Sequence, residues 1–169
     1  MERVTSEIII KVHELFKDRK LTLSVAESCT GGLICHYITS LPGASAFFRG
    51  GIVSYSDDIK KNIIGVTPET IERFGVVSAE TACEMAERVR LISSTDFSLS
   101  ATGNLGPDVL EKKERGLVYI AACRKDRTVS RELRLKGDRE RNKEDAALEG
   151  LRLLVEIMLE GRDVHFSAG

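Results

Sequence analysis

Apolar side chains recur along the chain with two different periods, one typical of helices and one typical of strands. In the N-terminal segment the helical period predicts an amphipathic helix that is capped by Thr5 or Ser6 and ends near Lys20. Similar spacing and capping residues predict further helices over residues 33–40 and 57–64, from Pro68 to Gly75, after Ser78 and after Asp138. Short alternating or continuously apolar runs predict five strands, at residues 21–26, 49–56, 97–102, 116–123 and 128–136.

Because helices and strands alternate, this order predicts an α/β fold with three layers, α/β/α. The sheet is expected to be mixed but mostly parallel, with an antiparallel hairpin near its end around residues 124–127. The step at Gly50-Gly51 predicts a bulge or the close approach of another group within the second strand. Ligands of such sheets collect beyond the carboxyl ends of strands. Ser28, Tyr55 and residues 102–107 follow such ends and are predicted to share one site.

The composition is that of an ordinary globular protein, with 42% hydrophobic and 30% charged residues among 169. This length fits one domain, residues 1–169, with a loose tail over 162–169. The formal net charge is −1, so no overall field favours nucleic acid or a membrane surface as a partner. No apolar run approaches the roughly 18 residues that would cross a bilayer.

The cysteines and histidines exclude several kinds of site. The four cysteines lie far apart without a C-x-x-C pair, so neither a disulfide framework nor a zinc site is expected, and a cytoplasmic location is predicted. No histidine is an obvious partner for Ser28 in a Ser-His-Asp triad. His13 is expected to be exposed on the first helix, and His165 lies in the tail.

The most informative segment is the turn Ala26-Glu27-Ser28-Cys29-Thr30-Gly31-Gly32 between a predicted strand and a predicted helix. The first turn of a helix has unpaired N–H groups and a positive dipole end, which suit an anion or a developing oxyanion. Ser28, Cys29 and Thr30 are candidate nucleophiles at consecutive positions. The same residues equally fit a plain helix cap with two glycines for close packing.

A lysine is the better candidate for a general base. Lys60 follows Tyr55 by five residues, in the first turns of a short predicted helix. Burial lowers the pKa of a lysine, and its neutral amine can then take the proton of a serine, with tyrosine orienting the amine or relaying the proton. From the residues alone, Tyr55 is equally a core residue, and Lys60 beside Lys61 equally part of a solvated pair.

Several blocks in order resemble the C-terminal domain of the CinA family, which includes stand-alone nicotinamide mononucleotide deamidases. The resemblance extends over roughly residues 5 to 160. It rests on the Ala26–Gly32 turn and on Pro42-Gly43-Ala44-Ser45, Gly50-Gly51-Ile52-Val53-Ser54-Tyr55-Ser56, Gly75-Val76-Val77-Ser78, Thr102-Gly103, Gly106-Pro107, Gly116-Leu117-Val118-Tyr119-Ile120-Ala121 and Gly137-Asp138-Arg139. The fold that it implies is similar to the anticodon-binding domain.

The resemblance implies hydrolysis of the nicotinamide mononucleotide carboxamide to nicotinate mononucleotide and ammonia, without a metal or an organic cofactor. It implies Ser28 as the nucleophile, Lys60 as its base and Tyr55 as an assisting hydroxyl. Residues expected to bind the substrate are Glu27, Cys29, Thr30, Gly31, Gly32, Thr102, Gly103 and Arg139. Arg139 suits the substrate phosphate, although a salt bridge that orients the last helix is an equal alternative. The family also implies a homo-oligomer.

Two departures from the family pattern bear on the substrate. Asp57 stands where the family commonly has asparagine, and its charge would hold Lys60 protonated, the wrong state for a base. The segment over residues 103–116 is shorter and more charged than its family counterpart. The departures leave open a non-catalytic nucleotide-binding or regulatory module, and an amidase for a different small carboxamide. A thiol enzyme that uses Cys29 is a weaker alternative.

Overall fold

A computed structural model describes residues 3–108 and 110–160, with side chains from residue 7 onward. Its elements, in chain order, are α1 (Arg3–Arg19), β1 (Leu23–Glu27), α2 (Leu33–Thr39), β2 (Phe48–Val53), α3 (Asp57–Ile59), a π-helix (Lys60–Ile64), α4 (Pro68–Phe74), α5 (Ala79–Ser93), β3 (Phe97–Gly103), β4 (Leu117–Arg124), β5 (Arg127–Arg134) and α6 (Arg139–Leu159). The first helix begins at Arg3, so the predicted cap at Thr5 or Ser6 is wrong. The predicted tail over 162–169 lies outside the described residues.

One five-stranded sheet organises the molecule, in the order β2-β1-β3-β4-β5. β1 pairs in parallel with β2 and with β3, whereas β3–β4 and β4–β5 are antiparallel. The predicted mixed α/β sheet and its antiparallel hairpin are therefore confirmed, although parallel pairings do not outnumber antiparallel ones. Between Phe48 and Gly50 the register of β2 on β1 shifts, which is the bulge predicted at the glycine step.

Helices cover both faces of the sheet. α1, α2 and α6 contact one another and share one large apolar core with the sheet. α5 crosses the other face, and α4 packs against it. The capping residues predicted for these two helices are confirmed, because Thr67 Oγ1 accepts from Thr70 N and Ser78 Oγ accepts from Thr81 N.

The central strand β3 is polar on the face toward α5. Its apolar residues Leu99 and Ala101 belong to the large core, while the alternate residues carry hydroxyls. Ser98 and Ser100 donate to the carbonyls of Ala86 and Ala82 on α5, at 2.5 and 2.6 Å. These bonds satisfy buried hydroxyls and fix the height of α5 on the sheet. At the strand end, the Thr102 hydroxyl donates instead to the carbonyl of Val76, at 2.7 Å.

Candidate active site

A cavity of about 570 Å³ lies beyond the carboxyl ends of β1 and β3. Ser28 follows directly on β1, Tyr55 follows β2 by two residues, and Thr102 and Gly103 end β3. The lining residues are Ser28, Cys29, Tyr55, Asp57, Lys60, Val76, Val77, Thr102, Gly103, Asn104, Leu105, Gly106, Pro107, Asp108, Leu110, Glu111 and Arg139. A cavity of this size is in the range that holds a small-molecule ligand.

The structure brings together seven of the eleven residues that the sequence singled out. Those that line the cavity are Ser28, Cys29, Tyr55, Lys60, Thr102, Gly103 and Arg139. The other four, Glu27, Thr30, Gly31 and Gly32, are not among the lining residues, and of these only the backbone amide of Thr30 remains a candidate for contact with substrate. They build the turn behind the cavity instead.

Ser28 is held by the sheet rather than by a free loop. Its amide donates to the carbonyl of Ala101 at 2.9 Å, which extends the β1–β3 ladder one residue beyond β1. Its own carbonyl accepts from Gly31 N at 3.0 Å, which closes the turn. The residue is 7% exposed and lines the cavity. The hydroxyl at the cavity wall is therefore attached to a backbone that hydrogen bonds hold in place.

Glu27 accounts for the amides at the start of α2. This carboxylate is fully buried and accepts from Gly32 N, Ile34 N and Cys35 N at 3.0, 3.1 and 2.9 Å. Gly32 makes the approach possible, because it has a φ of 99° at the helix start. Of the two interpretations that the sequence left open for this turn, an anion site and a plain helix cap, these three amides fit the cap, because a side chain of the chain itself accepts from them.

Two amides of the turn remain available. Within the described part of the chain, no oxygen accepts from the N–H groups of Cys29 and Thr30, and both lie against the sulfur of Cys29. The Thr30 hydroxyl is also buried without a partner among the described residues. Since Cys29 directly follows Ser28, its amide is the turn's nearest donor to a group bound at the serine.

The thiol of Cys29 is in a poor environment for ionisation. Burial, followed by the negative charge of Glu27, raises the pKa of Cys29 to about 12. A thiolate is the nucleophilic form of cysteine, and near neutral pH this thiol stays protonated. The structure therefore argues against the thiol enzyme considered from the sequence.

Lys60 is a buried amine, whereas its neighbour Lys61 is not. Lys60 is 2% exposed and lines the cavity, while Lys61 pairs at the surface with Asp58 at 3.6 Å. Lys60 opens the π-helix, and its carbonyl accepts from both Gly65 N and Val66 N at 3.0 Å. A π-turn shifts the following residues around the helix, and such turns are frequent at functional sites. Of the two readings of this lysine pair, the structure supports the buried one.

Burial also shifts the pKa of Lys60. Desolvation lowers the pKa of Lys60 below the usual lysine value, and the carboxylates of Asp57 and Glu111 offset only part of that effect. The sequence predicted that Asp57 would hold Lys60 protonated. Asp57 does lie at the cavity and acts in that direction, but the loss of hydration outweighs it.

Tyr55 and Arg139 form the rim of the cavity. Tyr55 is 61% exposed, so it is not the core residue that the sequence allowed. Its hydroxyl oxygen accepts from Arg139 Nη2 at 2.6 Å, and Arg139 Nη1 donates to the carbonyl of Gly106. Arg139 thus joins the start of α6 to two other walls, and the salt bridge predicted as its alternative role is not formed among the described residues.

A charged clamp holds the remaining wall, which sequence reasoning did not identify. The carboxylate of Glu111 accepts from Val76 N and Val77 N at 2.8 and 3.3 Å. Lys113 Nζ donates to the carbonyls of Phe74 and Val77 and to Glu111 itself. Partial burial raises the pKa of Glu111, but the Val76 amide and Lys113 outweigh it and hold that pKa below its usual value. No motif signals this clamp, since its partners are 34 to 39 residues apart.

Other predicted features are not at the cavity. His13 is buried rather than exposed, because its Nε2 lies 2.7 Å from the carbonyl oxygen of Ile38 and its ring meets Phe47 edge-on. His165 lies outside the described residues. Residues 3–108 and 110–160 contain no cluster of three or more histidine, cysteine or acidic side chains suited to a metal ion. None of the helices in those segments is long and apolar enough to cross a membrane.

A family model and several proteins match this chain in sequence. The model described as the CinA C-terminal domain matches residues 5–158. A competence-damage inducible protein of Acetivibrio thermocellus is 52% identical over 125 residues, which cover 73% of this chain and 30% of that protein. Another, from Thermoanaerobacter pseudethanolicus, is 42% identical over 159 residues, 94% of this chain and 38% of that protein. The chain thus spans about a third of the length of these curated relatives.

Crystal structures with the same fold are also similar in sequence. The competence/damage inducible protein CihA from Agrobacterium tumefaciens gives a TM-score of 0.89 at 31% identity, over 93% of this chain and 97% of that one. A competence or damage-inducible protein from Enterobacter asburiae gives 0.89 at 32% identity, over 93% and 99%. Unlike the longer relatives, these two chains are matched over almost their whole length.

Proposed function

This chain belongs to the family of CinA C-terminal domains, and from that premise we propose that it is an amidohydrolase that deamidates nicotinamide mononucleotide. The observation that carries the proposal is the pairing of Ser28 with a buried Lys60 at one cavity. Burial lowers the pKa of Lys60, which favours the neutral amine that a general base needs to take a proton from a hydroxyl. Ser28 is the nucleophile rather than Cys29, whose thiol stays protonated.

In the first half of the reaction, Ser28 Oγ attacks the carboxamide carbon while its proton passes to Lys60 Nζ. The negative charge that develops on the carboxamide oxygen is stabilised by the amides of Cys29 and Thr30, which lie against the Cys29 sulfur and donate to no oxygen among the described residues. The tetrahedral intermediate then breaks its C–N bond, and the Lys60 ammonium returns the proton to the nitrogen as it leaves as ammonia. The product of this half is an ester between the acyl group and Ser28.

In the second half, water replaces ammonia as the partner of Lys60. The neutral amine takes a proton from water, whose oxygen attacks the ester carbon, and the proton then returns to Ser28 Oγ. Nicotinate mononucleotide leaves as the acid, and the net reaction consumes one water for each ammonia released. Tyr55 assists from the rim, where Arg139 fixes the orientation of its hydroxyl.

A second candidate is an amidase for a small carboxamide that carries no phosphate. The lining supplies three carboxylates, Asp57, Asp108 and Glu111, against the Arg139 guanidinium and the Lys60 amine. Arg139 is already bonded to Tyr55 and Gly106, so a phosphate would have to compete for it. A phosphate dianion is less well matched to this balance of charge than a neutral or cationic amide.

The experiment that separates these candidates measures ammonia release from nicotinamide mononucleotide, nicotinamide riboside, nicotinamide and simple aliphatic amides. The proposal expects kcat/KM to be highest for the mononucleotide, and Ser28→Ala to abolish release from it. A preference for the riboside or an aliphatic amide would transfer the assignment to the second candidate. Binding of the mononucleotide by calorimetry without any ammonia would identify a non-catalytic module instead.

A further inference from the structure

The buried carboxylate of Glu27 has a role that substrate contact does not explain. It accepts three backbone amides at the start of α2, and the Cys35 thiol also donates to it. Its residue is also the last of β1, directly before Ser28, and its carbonyl accepts from both Ser54 N and Ser54 Oγ. No cation among the described side chains forms a salt bridge with it. Its charge is therefore matched by the amides of the helix.

These contacts occupy the N–H groups that usually bind anions or activate thiols at the start of a helix. Unpaired N–H groups and the positive end of the dipole are the features that bind anions and activate thiols at this position. Here a carboxylate occupies them from inside the protein. We propose that Glu27 is a positioning residue whose carboxylate neutralises the positive end of α2. That end then does not act on groups in the cavity, and the hydroxyl of Ser28 is left as the nucleophile of the turn. This rests on the proposed function, in which Ser28 is the nucleophile.

The adjacent cysteine makes the consequence measurable. Cys29 lines the same cavity one residue after Ser28, and it lies close enough to Glu27 for their charges to interact. Without the Glu27 carboxylate, its negative charge would no longer oppose the thiolate of Cys29. The freed amides at the start of α2 would instead stabilise that thiolate. A thiol that is silent in the natural protein should then become reactive without any change at Cys29 itself.

The test is the rate at which iodoacetamide alkylates Cys29 between pH 7 and 9, in two variants that differ from each other only by Glu27→Gln. Both carry Cys35→Ala, so the tryptic peptide over residues 21–49 contains Cys29 as its single cysteine. We expect Glu27→Gln to raise the alkylation rate at pH 8 by about tenfold, since each unit of thiol pKa changes the thiolate fraction tenfold. An unchanged rate would overturn the proposal. The matched control is Glu144→Gln, at a carboxylate outside the cavity lining.

Loss of folding would also expose Cys29 in Glu27→Gln. Two further measurements address this: alkylation of Cys123 in the variant, and amide hydrogen exchange in the natural protein. Alkylation of the buried Cys123 reports opening of the fold, and a parallel rise there would disqualify Glu27→Gln as a test. Amide hydrogen exchange then decides. The amides of Gly32, Ile34 and Cys35 should exchange much more slowly than those of Cys29 and Thr30, and equal rates would overturn the proposal. Neither measurement uses ammonia release, so failure of the proposed activity remains distinguishable from failure of this inference.

Discussion

Two walls of the cavity are built on opposite principles. The turn over residues 28–32 is fixed by backbone bonds and by one fully buried carboxylate, Glu27. The segment over residues 104–116, the charged loop, is fixed by Glu111 and Lys113, whose side chains are 32% and 28% exposed. Ionic contacts at such exposure are screened by salt and contribute little stability each.

This difference indicates that the turn positions the reacting groups and that the charged loop determines substrate preference. Chemistry needs groups held to within a fraction of an ångström, which a dry, backbone-built turn provides. Substrate preference can reside on a wall that solvated charges hold in place. Changes in the turn should therefore lower kcat, while changes in the charged loop should mainly raise KM. Kinetics of the proposed deamidation test this difference between the two walls.

The largest effect is expected from Lys60→Met, which removes the amine and keeps an unbranched side chain one atom shorter. Deamidation should fall by about 10⁴-fold, as for loss of one member of a catalytic unit. Combining it with Ser28→Ala should add little, because both remove the same step. The readout is ammonia release under saturating substrate. Lys61→Met is the matched control and should stay within twofold, since Lys61 pairs with Asp58 at the surface.

The same variant should also be more stable than the natural protein. Burial lowers the pKa of Lys60, which means that folding disfavours its charged form at neutral pH. Lys60→Met removes that cost, so the free energy of unfolding at pH 7 should rise by about 1 kcal/mol. Urea unfolding followed by circular dichroism measures the change. A loss of stability would contradict the account of Lys60 as a desolvated amine.

Next in size is a pair of glycine substitutions, one on each wall. Gly32 and Gly106 both have left-handed φ values, 99° and 86°, so alanine at either costs about 1–2 kcal/mol of strain. Gly32→Ala displaces the turn behind Ser28 and should lower kcat by about 10²-fold. Gly106→Ala meets the side chain of Arg115 and should raise KM with kcat little changed. Equal kcat losses at both sites would break the division between the walls.

A smaller effect is expected from Lys113→Met, which releases the clamp on the charged loop. Lys113 donates to Phe74 O, Val77 O and Glu111, so its loss should loosen the wall and raise KM by about tenfold. The free energy of unfolding should fall by less than about 1 kcal/mol. Lys112→Met, at the exposed neighbouring residue, should leave both quantities unchanged. A fall in kcat without a change in KM would place the loop in the chemistry instead.

The smallest expected effect is a shift of the pH profile. The neutral amine of Lys60 is the active form, so kcat should rise with pH through the lowered pKa of Lys60. Asp57 raises that pKa, and Asp57→Asn should therefore move the rising limb to lower pH. Asp58→Asn, beside Lys61, is the control and should not move it. A limb that stays in place would show that Asp57 and Lys60 are not coupled.

The fold could be predicted from local signals because each element carried its own. Period-two alternation marked β5, continuous apolar residues marked β4, and the caps Thr67 and Ser78 marked the starts of α4 and α5. The first helix was misplaced at its start because residues before the predicted cap also join it. The burial of His13 was missed because its partner, the carbonyl of Ile38, lies 25 residues away.

The site was predictable only as far as its residues lie next to one another in the chain or at strand ends. Ser28 was found from the strand that it follows, and Thr102 from the strand end at which it lies. The roles of Glu27 and Glu111 could not be predicted, because the sequence does not show whether a carboxylate faces a ligand or the backbone. The balance at Lys60 was also out of reach, since it depends on how much water the folded protein removes from the amine.

The bulge in β2 ties the sheet edge to the helix that Glu27 caps. At Gly51 the strand runs so close to α2 that a methyl group would overlap the sulfur of Cys35, the residue whose amide Glu27 accepts. A side chain can therefore be added at position 51 only when the residue at position 35 is smaller than cysteine. Homologous chains with alanine at position 51 should carry glycine or alanine at position 35, so the two sites ought to covary. A lineage could cross from one pair to the other only by reducing position 35 first.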